Sequence, residues 1–239
     1  MSLVDLTYQL ETLSDPDDAK NLARYFKTGP GDYGAGDRFR GIRVPTLRRV
    51  VRNQRMLPHE DVLMLLQSAY HEDRLTGLLI WVEQVRKGDA DKRQAILEAY
   101  LANTDRINNW DLVDQSAPSI VGLCLYDTVV HDGPSDILTG LAQSTVLWER
   151  RIAIMATFYF IKHDHFAETL RVADLLLHDE HDLIHKAVGW MLREVGNVER
   201  SREEAFLQSR YQSMPRTTLR YAIEKFPKAQ RQAYLQGEI

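Results

Sequence analysis

Only one cysteine, Cys124, stands in the 239 residues. No disulfide can close within the chain, and the neighbours Val121, Leu123 and Leu125 suggest a buried structural thiol. No apolar run reaches the roughly 20 residues of a membrane-spanning helix. The chain opens without the basic, apolar, small-residue succession of a secretory signal, so a cytoplasmic protein is the expectation. Strand-like alternation is nearly missing, which leaves an all-α chain. There is no Gly-Lys-Ser/Thr phosphate loop, no clean dinucleotide fingerprint and no Gly-x-Ser-x-Gly nucleophile motif. No cofactor is implied. His178, His181 and His185 have metal-like spacing but lie around the turn at 177–182 with no cysteine beside them, so they read as polar turn residues and no metal is expected. His163 and His165 sit in a similar turn.

What the chain does have is a repeat. Arg74 to Trp81, Arg151 to Phe158, Lys186 to Arg193 and Arg220 to Phe226 each begin with a base and continue with small or apolar residues at helical spacing. The segment from Leu112 fills the remaining gap. The anchors 74, 112, 151, 186 and 220 are separated by 38, 39, 35 and 34 residues. That period points to helix pairs stacked as a solenoid in one continuous domain, residues 1–239, although a non-repetitive bundle has the same composition. The intervening segments 58–66, 89–100, 134–141 and 166–177 also predict helices, several with proline or acids in the first turn. Trp81 and Trp148 suit the core. Pro118, inside a helical stretch, predicts a break or kink after Asp114.

Net charge is −4, yet its distribution is uneven. Arg38, Arg40, Arg43, Arg48, Arg49, Arg52 and Arg55 fall within 18 residues that contain no acid. Arg216, Arg220, Lys225, Lys228 and Arg231 face Glu224 alone in the last cluster. Such stripes can bind phosphates on a mildly acidic protein, and they can equally be solvated helix faces. Before the first stripe lies a glycine-rich stretch, 27–45, which forbids a stable helix. It reads either as a loop lying against a DNA backbone or as a surface connector.

Asn109-Trp110-Asp111-Leu112-Val113-Asp114 is the most informative segment. Trp110 and Asp114 are four residues apart, on one face of a helix that starts near a surface. The corresponding helices further on carry Arg151 and Trp190, so two aromatic plates, a carboxylate and an arginine can line up across repeats. A cationic substrate on a phosphate backbone suits that set. The plain alternatives are core tryptophans and a helix-capping Asp114. Gly189, beside Trp190, would let something approach closely.

Trp-Asp-x-Val-Asp at 110–114, Trp-x-x-Arg at 148–151 and Lys-Ala-Val-Gly-Trp-Met-Leu-Arg-Glu at 186–194 together resemble the AlkD-type DNA alkylation repair glycosylases. The resemblance runs from Ala-Arg-Tyr-Phe-Lys at 23–27 to the C-terminal helix. It implies HEAT-like helical repeats with a concave basic DNA-binding face, and hydrolysis of the N-glycosidic bond of cationic N3- and N7-alkylated purines with the lesion still stacked. Trp110, Asp114 and Trp190 match the family's catalytic cleft, and Arg151 its backbone-contacting arginine. Arg43, Arg48, Lys186 and Arg216 are the further expected DNA contacts, on a monomer acting on duplex DNA that holds alkylated bases. The glycine-rich loop is longer than in some relatives, and Arg43 stands where some have glutamine. Asn109 departs from a double tryptophan found in others. A structure-specific DNA-binding module without catalysis and a protein-binding HEAT scaffold are the competing readings. Retention of the four residues as a set favours the enzyme, because a carboxylate on a phosphate-binding face weakens binding.

Overall fold

The computed structural model describes residues 2–239. Among them every regular element is a helix, and an isolated bridge between Arg38 and Tyr70 is the sole extended pairing. The chain is all-α, built from helical repeats, and forms two compact units that divide after Ile120.

The first unit holds α1 (Leu3–Thr12), α2 (Pro16–Tyr25), α3 (Val44–Arg52), α4 (His59–Leu66), α5 (His71–Lys87), α6 (Ala90–Leu101) and α7 (Trp110–Ala117). Local chemistry sets the starts. Asp15 accepts the amides of Asp17 and Asp18 while Pro16 opens α2, and Asp89 accepts the amide of Lys92 at the head of α6. The centre is α5, buried at every position from His71 to Val82. A helix hidden all round must be wrapped, and α3, α4, α6 and α7 pack against it.

The second unit holds α8 (Leu123–Asp132), α9 (Asp136–Ala142), α10 (Leu147–Ala156), α11 (Phe158–Ile161), α12 (Ala167–Leu175), α13 (Asp182–Val198), α14 (Arg200–Gln208), α15 (Arg216–Ala222) and α16 (Lys228–Gln236). Its centre is α13, whose Ile184, Ala187, Val188, Met191, Leu192 and Val195 form one buried stripe. That stripe serves α10, α14 and α15.

All five repeat anchors fall in helices, as their spacing predicts, and the four intervening segments are α4, α6, α9 and α12. Trp81 and Trp148 are core residues. Cys124 is half-buried rather than enclosed. The register of the repeat differs by one residue from the sequence pattern. Ser68 Oγ accepts the amide of Tyr70 and donates to Asp73, while Arg74 donates to the Ser68 carbonyl. Ser144 Oγ likewise accepts the amide of Val146 and donates to Glu149, while Arg150 donates to the Ser144 carbonyl. The equivalent of Arg74 is therefore Arg150, not Arg151.

Pro118 does what its missing N–H requires. The helix does not stop; it loosens into a π-helical turn, Pro118–Gly122, and resumes as α8.

Candidate functional site

Trp110 is the first residue of α7 and is half-buried. Asn109, wholly buried, caps the helix by accepting the Trp110 amide at 2.8 Å. The indole leans on Phe26, with centroids 5.0 Å apart, and meets Tyr25 edge-on at 5.8 Å. Tyr25 is 65% exposed, so an aromatic edge reaches solvent beside Trp110. One turn further along α7, Asp114 is half-buried inside the helix, so it is no terminal cap. Its neighbour Gln115 accepts a hydrogen bond from Arg48 of α3 at 2.5 Å.

A buried charge network supports this corner. His71 contacts Asp37 through Nδ1 at 3.1 Å and Asp111 through Nε2 at 2.8 Å. Ionised carboxylates only accept, so both ring nitrogens carry protons and the ring is an imidazolium. Burial opposes that charge, but Asp111 and Asp37 outweigh it and hold the pKa up at about 9. Asp37 also takes Arg74 at 2.7 Å and the Asn108 amide at 3.1 Å. Its own pKa is depressed: burial pushes upward, and the bonds from His71 and the charge of Arg74 prevail. Asp111 adjoins Trp110, so His71 ties the glycine-rich stretch to the start of α7.

That stretch is itself firmly held. Glu72 accepts the amides of Arg40, Gly41 and Ile42 at 2.8, 2.8 and 3.1 Å. Arg40 makes a two-pronged pair with Asp73 at 2.6 and 2.9 Å and lies over the Tyr70 ring. The first turn of α5 is thus a polar block that fixes the chain from 37 to 42. Neither reading of the glycine-rich stretch anticipated this anchorage.

The expected DNA contacts are differently placed. Arg43 is exposed and bound in a two-pronged pair to Asp18 at 2.9 Å. Arg48 and Arg52 are exposed along α3, and Arg55 is exposed in the turn after it. With Gln115, Ser119, Arg86 and the Glu83 that pairs with Arg86 at 3.4 Å, they line a groove of about 270 Å³. Lys186 pairs with Asp182 at 2.6 Å, and exposed Arg216 donates to the Leu235 carbonyl at 2.5 Å. Arg151 is the exception: it is only 5% exposed, and its guanidinium donates to the Leu183 carbonyl at 2.6 Å. Burial on the protein's own backbone gives it a structural job rather than a solvent-facing one.

Trp190 is half-buried in the second unit, and its Nε1 donates to Glu194 at 3.0 Å, with Phe158 at 6.3 Å. What approaches Gly189 is the protein itself. A Cβ there would lie 2.5 Å from the Thr218 carbonyl oxygen and 2.5 Å from Tyr221 Cβ. The turn histidines also have local partners. His181 accepts the Leu183 amide at the start of α13, and His185 bonds the Asp179 carbonyl.

Sequence reasoning missed Tyr25, Asp37, His71 and Asp111. Three of these are polar groups whose partners are 34 to 40 residues away, so spacing alone does not reveal them. The run His-Glu-Asp-Arg at 71–74 was the available signal, since four charged or titratable residues stand directly before an apolar helix face.

The sequence model of a family described as "DNA alkylation repair enzyme" matches residues 6–226. A solved structure described as "Predicted DNA alkylation repair enzyme from Enterococcus faecalis" superposes with a TM-score of 0.70. It shares 16% identity, and the match covers 90% of this chain and 97% of that one. No curated protein matches the chain.

Proposed function

The chain belongs to the DNA alkylation repair enzyme family, and we propose that it is a DNA glycosylase that removes cationic N3- and N7-alkylated purines from duplex DNA. The observation that carries this reading is the pair on α7: a half-buried tryptophan at the head of the helix and a half-buried carboxylate one turn on. The reaction is hydrolysis. The bond from C1′ to the purine nitrogen breaks, its electron pair leaves with the already positive base to give a neutral one, and water adds to C1′ and releases a proton to solvent. Because the base carries its own charge, little acid is needed; the difficult species is the sugar cation. Asp114 stabilises that cation and orients the water. Trp110 and Trp190 offer aromatic faces that attract positive charge, and Tyr25 extends the aromatic edge at Trp110.

Phosphate binding falls in this reading to exposed bases: Arg43, Arg48 with its groove partners Arg52 and Arg55, Lys186 and Arg216. In this reading they are the DNA contacts of a HEAT-like repeat protein that acts as a monomer. Arg151 contributes by tying its helix to the head of α13. The lesion stays stacked during bond cleavage.

A non-catalytic DNA-binding role is the second reading, supported by the arginine-lined groove, which can bind phosphates without Asp114. Duplexes that contain 7-methylguanine or uracil separate the two. Release of free 7-methylguanine with little uracil release is expected. Tight duplex binding with no base released from either would establish the second reading instead.

A further inference from the structure

A half-open cavity of about 490 Å³ lies in the first unit, between α2, the start of α3 and the head of α5. Its size falls within the roughly 300–1,000 Å³ of small-molecule sites. The walls are apolar: the aromatic rings of Tyr25, Phe26 and Phe39 stand among aliphatic Leu22, Ile42 and Leu75. Tyr25 and Phe26 are also the two rings that touch Trp110, so the cavity borders that residue. Phe26 and Phe39 are nearly parallel, inclined by only 10°, and stack on each other with centroids 5.3 Å apart.

The polar groups divide into two sets. Those on the floor are already spent inside the protein. His71 is held by two carboxylates, Glu72 by three backbone amides, and Asp111 by His71 and the Leu112 amide. They offer a ligand little beyond packing surface. At the rim, Asn21 and Arg43 both bond Asp18, but Asn21 and Arg43 are exposed, so a ligand can reach the amide and guanidinium groups that these bonds do not use. A fitting ligand is therefore flat and apolar across its faces, with hydrogen-bond donors and acceptors along one edge. A saturated ring is not flat, and a strongly charged molecule is not apolar across its faces.

We infer that this cavity takes a planar purine base, stacked against the aromatic walls and read along its polar edge by Asn21, Asp18 and Arg43. The inference rests on the reaction proposed above for the source of that base. Cleavage beside Trp110 would release a free purine at the cavity's border. A base other than the lesion, displaced from the duplex but still attached to DNA, presents the same chemistry.

The test uses the full chain and two probes. Free 7-methylguanine and adenine are titrated by calorimetry, and a duplex with one bulged 2-aminopurine is titrated by fluorescence. Saturable binding of the free bases, weakened about tenfold in Asn21→Leu and again in Phe39→Leu, is expected and assigns the released base as the occupant. Quenching of bulged 2-aminopurine that the same variants relieve assigns the extrahelical base. Asn21 is exposed, so its variant keeps the core intact, and circular dichroism checks both. Binding of neither probe, or binding that both variants leave unchanged, overturns the inference. Excision of 7-methylguanine is measured on the same preparations: excision without base binding defeats the cavity alone, and base binding without excision defeats the glycosylase reading alone.

Discussion

At the scale of single residues, the site combines what spacing reveals with what only the folded chain brings together. His71 is the clearest case of the second kind. Its two carboxylate contacts require an imidazolium, so its ring protons in an NMR titration are expected to titrate near pH 9 rather than 6.5. A midpoint at or below 6.5 would show that Asp37 and Asp111 do not hold it. Arg151 yields a second expectation. Arg151→Glu would set a buried carboxylate against the Leu183 carbonyl, with a loss of about 3 kcal/mol or more in stability. Urea denaturation reads this directly; an unchanged midpoint would return Arg151 to solvent and to the phosphates. Trp110 and Asp114 were legible because a helix places residues four apart on one face. His71, Asp37 and Asp111 were not, because their meeting depends on how three separate segments pack around the head of α5.

Elements were far more legible than contacts. Periodic apolar positions placed the five anchor helices and four of the helices between them, though not α14, and Asp89 and Pro118 marked a start and an irregularity where the structure has them. The register slipped by one because Arg150 and Arg151 are adjacent and equally basic; only the Ser144 and Ser68 hydrogen bonds decide between them. The close packing of successive repeats was also hidden. Gly122 and Gly189 occupy matching situations: an added Cβ would lie 2.2 Å from the Ala156 carbonyl oxygen at one and 2.5 Å from the Thr218 carbonyl oxygen at the other. Those neighbours are helix backbone and cannot give way cheaply. Gly122→Ala and Gly189→Ala are each expected to cost about 1–3 kcal/mol, seen as a lower unfolding midpoint. Stability equal to the parent in both would mean that the helices are not held this closely.

For the whole molecule, pH and salt report on different parts of the account. Glu203 is buried beside Gly196 with one oxygen unpartnered, and burial lifts its pKa to about 8. Its folded value exceeds the unfolded 4.5, so the folded state holds a proton that the unfolded state loses. Stability should therefore decline from about pH 4.5 to 8, by up to about 1.4 kcal/mol per pH unit. His71 adds the same sign between 6.5 and about 9. Glu203→Gln should flatten the lower part of that decline in thermal melts from pH 5 to 8; a profile as steep as the parent's would exclude Glu203 as its source. Salt addresses the arginine faces. Duplex affinity is expected to fall with a log–log slope near −0.9 per neutralised phosphate, and Arg48→Ala and Arg52→Ala should each lower that slope by about 1. A flat response would favour a protein partner over DNA. The central claim, that the α7 carboxylate performs chemistry while the bases supply affinity, is tested most directly by one comparison. Single-turnover release of 7-methylguanine from duplex DNA is measured for the wild type and Asp114→Asn, with duplex affinity and melting temperature determined on the same samples. The account predicts release by the wild type and release at least about 10²-fold slower in the variant, with affinity held or improved and melting little changed. Equal release rates in a stable Asp114→Asn protein, or no release by the wild type, would contradict it.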